Sequence, residues 1–201
     1  MTDKPAQRNV VLMLKNKRLG FPDLAAPRSI NGGKPVYGSR LIIEPTDPDV
    51  KVIDAAMAEV AKAQWKDASE GALAMLIKKG RVAFSKEEYC NKDGKVYKGF
   101  EGNYSLGANA PEDKQPTFFD EYGNPITDMA VVKRKFYAGC MVNAKVEIYP
   151  LLRDDGNRIS CQALGFMFAG DGEAFGGGTG PADASDFAGM AKAAPDADDV
   201  L

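Results

Sequence analysis

The chain contains no histidine among its 201 residues. This absence excludes a Ser-His-Asp triad, a Cys-His nucleophile pair and every zinc site that needs a histidine ligand. Cysteine is also scarce: Cys90, Cys140 and Cys161 are the whole set, and no two of them stand in a C-x-x-C spacing, so neither a zinc knuckle nor a thioredoxin-like redox pair is predicted. Such a sparse, odd set is typical of a reducing cytoplasm. The strand-like runs around Cys140 and Cys161 predict that both are core residues.

The sequence also lacks a long apolar run. No stretch approaches the roughly 20 apolar residues that a membrane helix needs. Residues 1–8 are polar, so we expect neither a signal peptide nor membrane association. Apolar residues make up 44% and charged residues 27% of the chain, proportions that favour one globular domain with a full hydrophobic core.

The net charge of −2 conceals an uneven distribution of charge. Residues 170–201 contain seven acidic residues and one lysine, whereas the rest of the chain carries 25 basic against 21 acidic residues. The same segment is rich in Gly, Ala, Asp and Pro, and it offers too few apolar side chains to offset the entropy of ordering it. We therefore predict a folded, mildly basic domain over residues 1–169 and a flexible, Gly-rich acidic tail over residues 170–201.

Most of the domain shows the alternation of apolar residues that is typical of β-strands. After the second strand the period becomes helical over residues 50–65 and 69–79, and Thr46-x-x-Asp49 has the form of a capping box. Glycines inside the strands indicate strong bending, as in a small closed barrel. The predicted fold class is mainly β with an inserted helix: an OB-fold-like five-stranded β-barrel followed by a disordered acidic C-terminal tail. The five predicted strands cover residues 10–19, 35–44, 96–109, 136–149 and 158–168.

Motifs for catalysis are scarce. The phosphate-binding pattern G-x-x-x-x-G-K-[ST] is missing, and the glycines at residues 176–180 have no helix pattern after them, so they are better explained as a tether. Asp154 and Asp155 precede Gly156 in a predicted turn, where aspartate is expected for its side-chain bonds to the backbone. No cofactor is predicted. A metal-dependent nuclease built from scattered Asp, Glu and Lys residues stays open.

Aromatic and basic side chains occur close together at several places, notably in residues 97–104 and 133–137. This combination fits single-stranded nucleic acid, because bases stack on rings at roughly 1–3 kcal/mol each while Lys and Arg follow the phosphates. The predicted nucleic-acid contacts are Lys15, Lys17, Arg18, Tyr37, Arg40, Tyr97, Lys98, Phe100, Tyr104, Lys133, Lys135, Tyr137 and Lys145.

Each of these residues also has a structural explanation. Phe100 and Tyr104 lie on the apolar face of their predicted strand, so core packing is the main alternative for both. Tyr37, Tyr97 and Tyr137 have polar neighbours and are the better candidates for base stacking. The basic run at residues 133–135 is most often a solvated strand entrance, which is the main alternative to a phosphate contact there.

Several stretches carry a resemblance to a known family. Their order resembles that of bacteriophage single-stranded DNA-binding proteins with an OB fold, in particular a phage family first catalogued as being of unknown function. The resemblance covers nearly the whole chain, and none of its motifs is a catalytic signature. The matching stretches are YGSRLIIEP at residues 37–45, the acidic-Pro helix start with Ile53 and Ala56, YKGFEGNYSLGANA at 97–110, FYAGCMVNAKVEIYP at 136–150, ALGFMFAGDGEAFGGG at 163–178, and the acidic terminus.

The resemblance implies a sequence-nonspecific single-stranded DNA-binding protein of a bacteriophage. Such a protein protects single-stranded DNA (ssDNA) in replication or recombination, in the cytoplasm of the infected bacterial host, and is not an enzyme. The resemblance also implies that the acidic tail competes with DNA for the basic groove and recruits replication or recombination proteins. The tail residues concerned are Asp196, Asp198, Asp199 and Leu201; many phage tails of this type end in an aromatic residue instead.

Two other functions stay open from the residues alone. One is a metal-dependent phage nuclease that uses Asp/Glu clusters, and the other is a non-enzymatic virion or scaffold protein. The oligomeric state stays open between a monomer and a homodimer.

Overall fold

Seven β-strands and three α-helices form the part of the chain that the computed structural model describes, which is residues 8–29 and 32–175. The strands are β1 (Val10–Arg28), β2 (Val36–Ile43), β3 (Phe84–Ser85), β4 (Tyr104–Pro111), β5 (Thr117–Phe119), β6 (Met141–Leu151) and β7 (Arg158–Gly170). The helices are α1 (Asp49–Trp65), α2 (Ser69–Lys78) and α3 (Met129–Lys135), with a short 3₁₀ turn (Lys66–Ala68) between α1 and α2.

Five of these strands close into a barrel in the order β4-β2-β1-β6-β7. Neighbouring strands run antiparallel, and the barrel closes where β7 lies parallel to β4, with Asn109 opposite Gln162. Helices α1 and α2 are inserted between the second and third barrel strands, and α3 precedes the fourth. The predicted fold class, an OB-like five-stranded barrel with helical insertions, is confirmed.

The barrel interior is filled by the alternate residues of each strand. On β6, Val142, Ala144 and Val146 are fully buried, as the alternation of the sequence predicts. Cys140 and Cys161 are core residues, and burial raises the pKa of the Cys140 thiol to about 12 and that of Cys161 even further above its usual value. Both cysteines therefore act as small apolar side chains.

The start of α1 differs from the predicted capping box. Pro48 occupies the N-cap position and makes no side-chain cap. The backbone N–H of Asp49 instead donates to the Asp47 carboxylate at 2.8 Å. The first free N–H of the helix is thus satisfied by the residue before the proline, not by Thr46.

Two predicted strands begin too early. Residues 96–103 form turns rather than the first half of β4, because Gly99 and Gly102 adopt positive φ angles of 88° and 68°. Residues 136–140 form a turn after α3, which the Asp128 side chain caps, so β6 begins only at Met141. An alternating apolar pattern continues across both boundaries, and it therefore gives no sign of where the strands begin.

Lys17 lies inside the fold although it is charged, with only 5% of the residue exposed. Its ammonium donates to the backbone oxygen of Lys15 at 2.9 Å and to the carboxylates of Asp47 at 2.6 Å and Asp49 at 2.8 Å. Burial alone would lower the pKa of Lys17, but the bonds to the two carboxylates outweigh burial and raise it above its ordinary value. All three ammonium protons are used, and this placement argues against the predicted phosphate contact.

Replacing Lys17 with methionine should destabilise the fold, because Asp47 and Asp49 would remain side by side without their cation. Removing one partner of a buried ion pair costs roughly 3–5 kcal/mol, and the partial exposure of both carboxylates lowers the expected loss to about 2 kcal/mol. Lys145→Met, at an exposed position on β6, should change the free energy of unfolding by less than about 0.5 kcal/mol. Urea unfolding compares the two variants, and equal stabilities would contradict this role for Lys17.

Candidate nucleic-acid interface

A groove of about 840 Å³ crosses the outer face of β2 and β4, between the turn that follows α2 and the hairpin that joins β6 to β7. Its walls carry six basic residues but only two acidic ones, Asp54 and Glu87. Because the low-dielectric walls of a cleft focus the field of its charges, this excess makes the groove attractive to a polyanion. The basic residues are Arg40, Lys78, Arg81, Lys86, Arg153 and Arg158.

Arg40 lies on β2 and lines the groove. Its guanidinium lies 3.9 Å from the centroid of the Tyr89 ring, and its Nη1 donates to the Ser105 hydroxyl at 3.0 Å. Gly107 leaves room for it, since a Cβ at that position would come within 3.3 Å of Nη2. Burial lowers the pKa of Arg40 while Tyr89 opposes that change, and the group stays a cation at neutral pH. The groove thus contains a partly desolvated charge held against an aromatic ring.

Two arginines are held in place at the hairpin end of the groove. Arg81 donates to the backbone oxygen of Asp155 at 2.8 Å, and Arg158 donates to the carboxylate of the same residue at 2.8 Å. Arg153 and Lys78 are exposed nearby on the groove wall. The groove therefore ends in a combination of fixed and mobile cations that suits phosphate oxygens.

An aromatic cluster, consisting of Phe21 on β1 and of Tyr89, Tyr97 and Phe100 from the segment before β4, lies beside the groove. The Phe21 centroid is 4.8 Å from that of Tyr97 and 5.5 Å from that of Tyr89, both edge-to-face, and 5.6 Å from that of Phe100. Tyr89 and Tyr97 stack on each other at 5.4 Å. Phe100 is buried, whereas Phe21 is 43% and Tyr97 37% exposed. The cluster therefore presents two rings to solvent, supported by the other two.

Phe21 and Tyr89 belong to this candidate interface by position, although the sequence did not point to either. Phe21 stands in a bulge of β1, where the register against β2 shifts between Gly20 and Asp23, and its φ of 48° is left-handed. For a residue other than glycine this conformation costs roughly 1–2 kcal/mol. The one signal in the sequence is the Gly-Phe-Pro run at residues 20–22, which interrupts a strand. Tyr89 stands next to acidic residues, so the search for mixed rings and cations misses it.

An exit segment, residues 171–175, follows β7 and lies against two of the predicted contact residues. The Glu173 carboxylate is 3.0 Å from the Lys98 ammonium, and the Glu173 backbone oxygen accepts from Arg18 at 2.9 Å. The Arg18 guanidinium also lies 4.3 Å from the centroid of the Phe175 ring. The hydrogen bond and charge of Lys98 lower the pKa of Glu173. These five residues belong to the predicted tail, yet they pack on the domain.

Tyr137 anchors the exit segment. Its hydroxyl donates to the Asp171 carboxylate at 3.0 Å and accepts from the Gly172 N–H at 3.0 Å. Burial raises the pKa of Tyr137 above its usual value. The ring is therefore half-buried beneath the segment rather than presented to the groove.

Two other predicted tyrosines face the interior. Tyr37 is 8% exposed and points inward from β2 together with Ser39, whose buried hydroxyl donates to the Ala108 oxygen at 2.7 Å. Tyr104 packs edge-on against Phe84, with the centroids 6.0 Å apart, and contacts the core. The structure therefore supports core packing for Tyr104 rather than a contact with a base. The burial of Tyr37 argues against its predicted contact with a base, because a polar neighbour on a strand does not have to be exposed.

Four predicted lysines remain, and none of them lines the groove: Lys15, Lys133, Lys135 and Lys145. Lys133 and Lys135 lie on α3, where Lys135 pairs with Glu121 and lies 4.5 Å from the centroid of the Phe168 ring. Lys15 and Lys145 are exposed on β1 and β6. The predicted tail residues lie outside the described part of the chain: Asp196, Asp198, Asp199 and Leu201.

Within residues 8–29 and 32–175, no three His, Cys, Asp or Glu side chains are grouped in a way that could hold a metal ion. The helices described there are too short or too polar to cross a membrane.

Gly20 lets Phe100 approach β1, because a Cβ at residue 20 would come within 2.6 Å of the Phe100 ring. Gly20→Ala should therefore displace the aromatic cluster and lower the free energy of unfolding by about 1–3 kcal/mol. Near-UV circular dichroism and urea unfolding measure the two effects. In the control Gly71→Ala, open space surrounds a position on α2, so alanine should stabilise the fold by about 0.5–1 kcal/mol. An unchanged spectrum and stability for Gly20→Ala would show that this packing is wrong.

Solved structures of phage proteins share this fold. The single-stranded DNA-binding protein from bacteriophage Enc34 in complex with ssDNA has a TM-score of 0.69 at 20% identity, and the match covers 83% of this chain and 89% of that chain. gp2.5, a single-stranded DNA-binding protein encoded by bacteriophage T7, has a TM-score of 0.52 at 14% identity, and the match covers 94% of this chain and 97% of that chain. At these identities the likeness concerns the fold alone.

Sequence comparison goes further. Protein p50 of Acyrthosiphon pisum secondary endosymbiont phage 1 is 30% identical over 173 residues, which cover 83% of this chain and 87% of that protein. The family model described as Enterobacter phage Enc34, ssDNA-binding protein, matches residues 10–201. The chain belongs to this family of phage single-stranded DNA-binding proteins.

Proposed function

We propose that this chain binds single-stranded DNA without sequence preference, along the cationic groove and the aromatic cluster beside it. The observation that carries the proposal is the junction at Arg40, where a groove with six cations meets exposed rings. Lys and Arg side chains follow phosphates, and rings accept any base face, so this surface has the two elements of nonspecific ssDNA binding. Membership of a phage ssDNA-binding family supports the same function.

The preference for single strands follows from the rings. A base stacks on an exposed ring only when its face is free, and in a duplex the faces are covered by neighbouring bases. We propose that the protein covers and protects ssDNA during phage replication or recombination, in the cytoplasm of the infected bacterial host. No observation on the described residues favours the nuclease or the virion alternative, and the family is one of binding proteins rather than enzymes.

The acidic tail is proposed to compete with DNA and to recruit replication or recombination proteins. Two facts support the competition: residues 170–201 carry seven acidic residues and one lysine, and the exit segment at their start places Glu173 between Arg18 and Lys98. A carboxylate held there occupies cations that could bind a phosphate.

The oligomeric state is a separate question. Sedimentation of the free protein decides between a monomer and a homodimer.

Binding of oligo-dT should weaken steeply with salt, because each phosphate that is neutralised releases bound counterions. For single strands the slope of log K against log salt is about −0.7 per phosphate contact. Arg153→Ala on the groove wall should weaken binding by a similar factor on dT, dA and mixed sequences, and should lower the slope by about 0.7. Fluorescence anisotropy of labelled oligonucleotides over a salt series measures both quantities.

The matched control is Lys62→Ala, which removes an exposed cation of α1 outside the groove. It should leave affinity and slope unchanged. A loss of equal size in both variants would mean that general charge, not the groove, attracts the DNA.

Removing residues 182–201 should raise the affinity for ssDNA, most clearly at low salt, because the truncated chain loses the acidic competitor. Glu173→Gln should have a smaller effect in the same direction, since it removes only the one carboxylate that pairs with Lys98 and lies 3.9 Å from Arg18. The same anisotropy titration compares both with the full chain. If truncation leaves the affinity unchanged at low salt, the acidic tail does not compete with DNA.

A further inference from the structure

Phe21 is an exposed ring that the fold holds in place at an energetic cost. It lies in a bulge of β1, where Phe21 and Pro22 together stand opposite Ser39 of β2, and its left-handed backbone, with φ of 48°, is unfavourable for a side chain with a Cβ. Bulges redirect side chains, and here the side chain leaves the barrel wall and stands beside the groove. Glycine would adopt this backbone conformation without strain. We therefore infer that the strain is tolerated because the aromatic side chain has a role at this position.

The surroundings of Phe21 fix its ring without covering it. Phe100 lies behind it at 5.6 Å with the two planes tilted by 31°, and Tyr97 and Tyr89 contact it edge-to-face. These contacts leave 43% of the residue exposed. A ring that is already immobilised loses little conformational freedom when a flat ligand stacks on it.

The position relative to the cations identifies the ligand. Tyr89 contacts Phe21 on one side and Arg40 on the other, with the Arg40 guanidinium 3.9 Å from the centroid of its ring. A phosphodiester chain in the groove would therefore pass a flat apolar surface next to a cation. Phenylalanine has no donor or acceptor that could read the edge of a base, so the surface accepts any base.

We propose that Phe21 is a nucleobase-stacking site at the edge of the groove, with Phe100, Tyr89 and Tyr97 as its support. This inference rests on the proposed function and deepens it, because it names the ring that takes a base. Among the rings of the aromatic cluster, Phe21 is the most exposed, and it alone stands on a barrel strand. It is also absent from the contacts predicted from sequence.

Affinity measurements on four proteins and two ligands test the proposal. The proteins are the full chain, Phe21→Leu, Phe21→Trp and the control Tyr122→Leu, which changes a ring that is 83% exposed on the turn after β5. The ligands are oligo-dT and an oligonucleotide of equal length that carries abasic sites. Phe21→Leu keeps apolar bulk against Phe100 but removes the flat face. It should weaken oligo-dT binding roughly 5- to 150-fold, while Phe21→Trp and Tyr122→Leu stay near the affinity of the full chain.

The abasic ligand separates stacking from a structural role. It offers phosphates but no bases, so the full chain and Phe21→Leu should bind it equally. Two results would overturn the stacking site and leave the proposed function intact: oligo-dT binding by Phe21→Leu at full strength, or an equal loss on both ligands. If the full chain fails to bind oligo-dT even at low salt and without residues 182–201, the proposed function fails as well.

Discussion

The contact between the Arg40 guanidinium and the Tyr89 ring is the interaction on which the rest of the interface depends. It joins the outer face of the barrel to the segment of residues 86–103, which otherwise follows turns with no strand partner of its own along most of its length. In doing so it holds a positive charge in a partly desolvated site, where its field is stronger than on an open surface. It also holds Tyr89 under Phe21 and Tyr97. The groove and the aromatic cluster are therefore two parts of one surface.

A second constraint is the separation of charge along the chain. The barrel domain places six of its basic residues along the groove, whereas seven acidic residues of the C-terminal region follow β7 in the sequence. The exit segment shows how the two meet: Glu173 lies beside Lys98, Arg18 covers the Phe175 ring, and Tyr137 holds the turn in place. A carboxylate beside a lysine and a ring beside an arginine are the contacts that a nucleotide would also make. The fold thus brings a piece of its own chain into a site with the chemistry of its proposed ligand.

The sequence predicts the barrel well and the interface only in part. Alternation along β6 and β7 fixes which residues face the core, because a period of two admits no other assignment once one face is buried. Arg40, Tyr97 and Lys98 lie at the candidate interface, and mixed rings and cations make these three visible in the sequence. Phe21 was missed because a bulge breaks the alternation that places side chains on faces, and Lys17 was misassigned because its partners Asp47 and Asp49 are distant in sequence. Positions that depend on contacts between separate elements leave no periodic signal.

The location of bound DNA tests the account most directly. Hydrogen–deuterium exchange of the full chain, with and without saturating oligo-dT, reports it segment by segment. We expect slower exchange in residues 86–103 and 152–158, which border the groove, and unchanged exchange in the turn at residues 120–124. Slower exchange that is confined to α3 and β5, or that a duplex of equal length reproduces, would contradict a single-strand groove centred on Arg40.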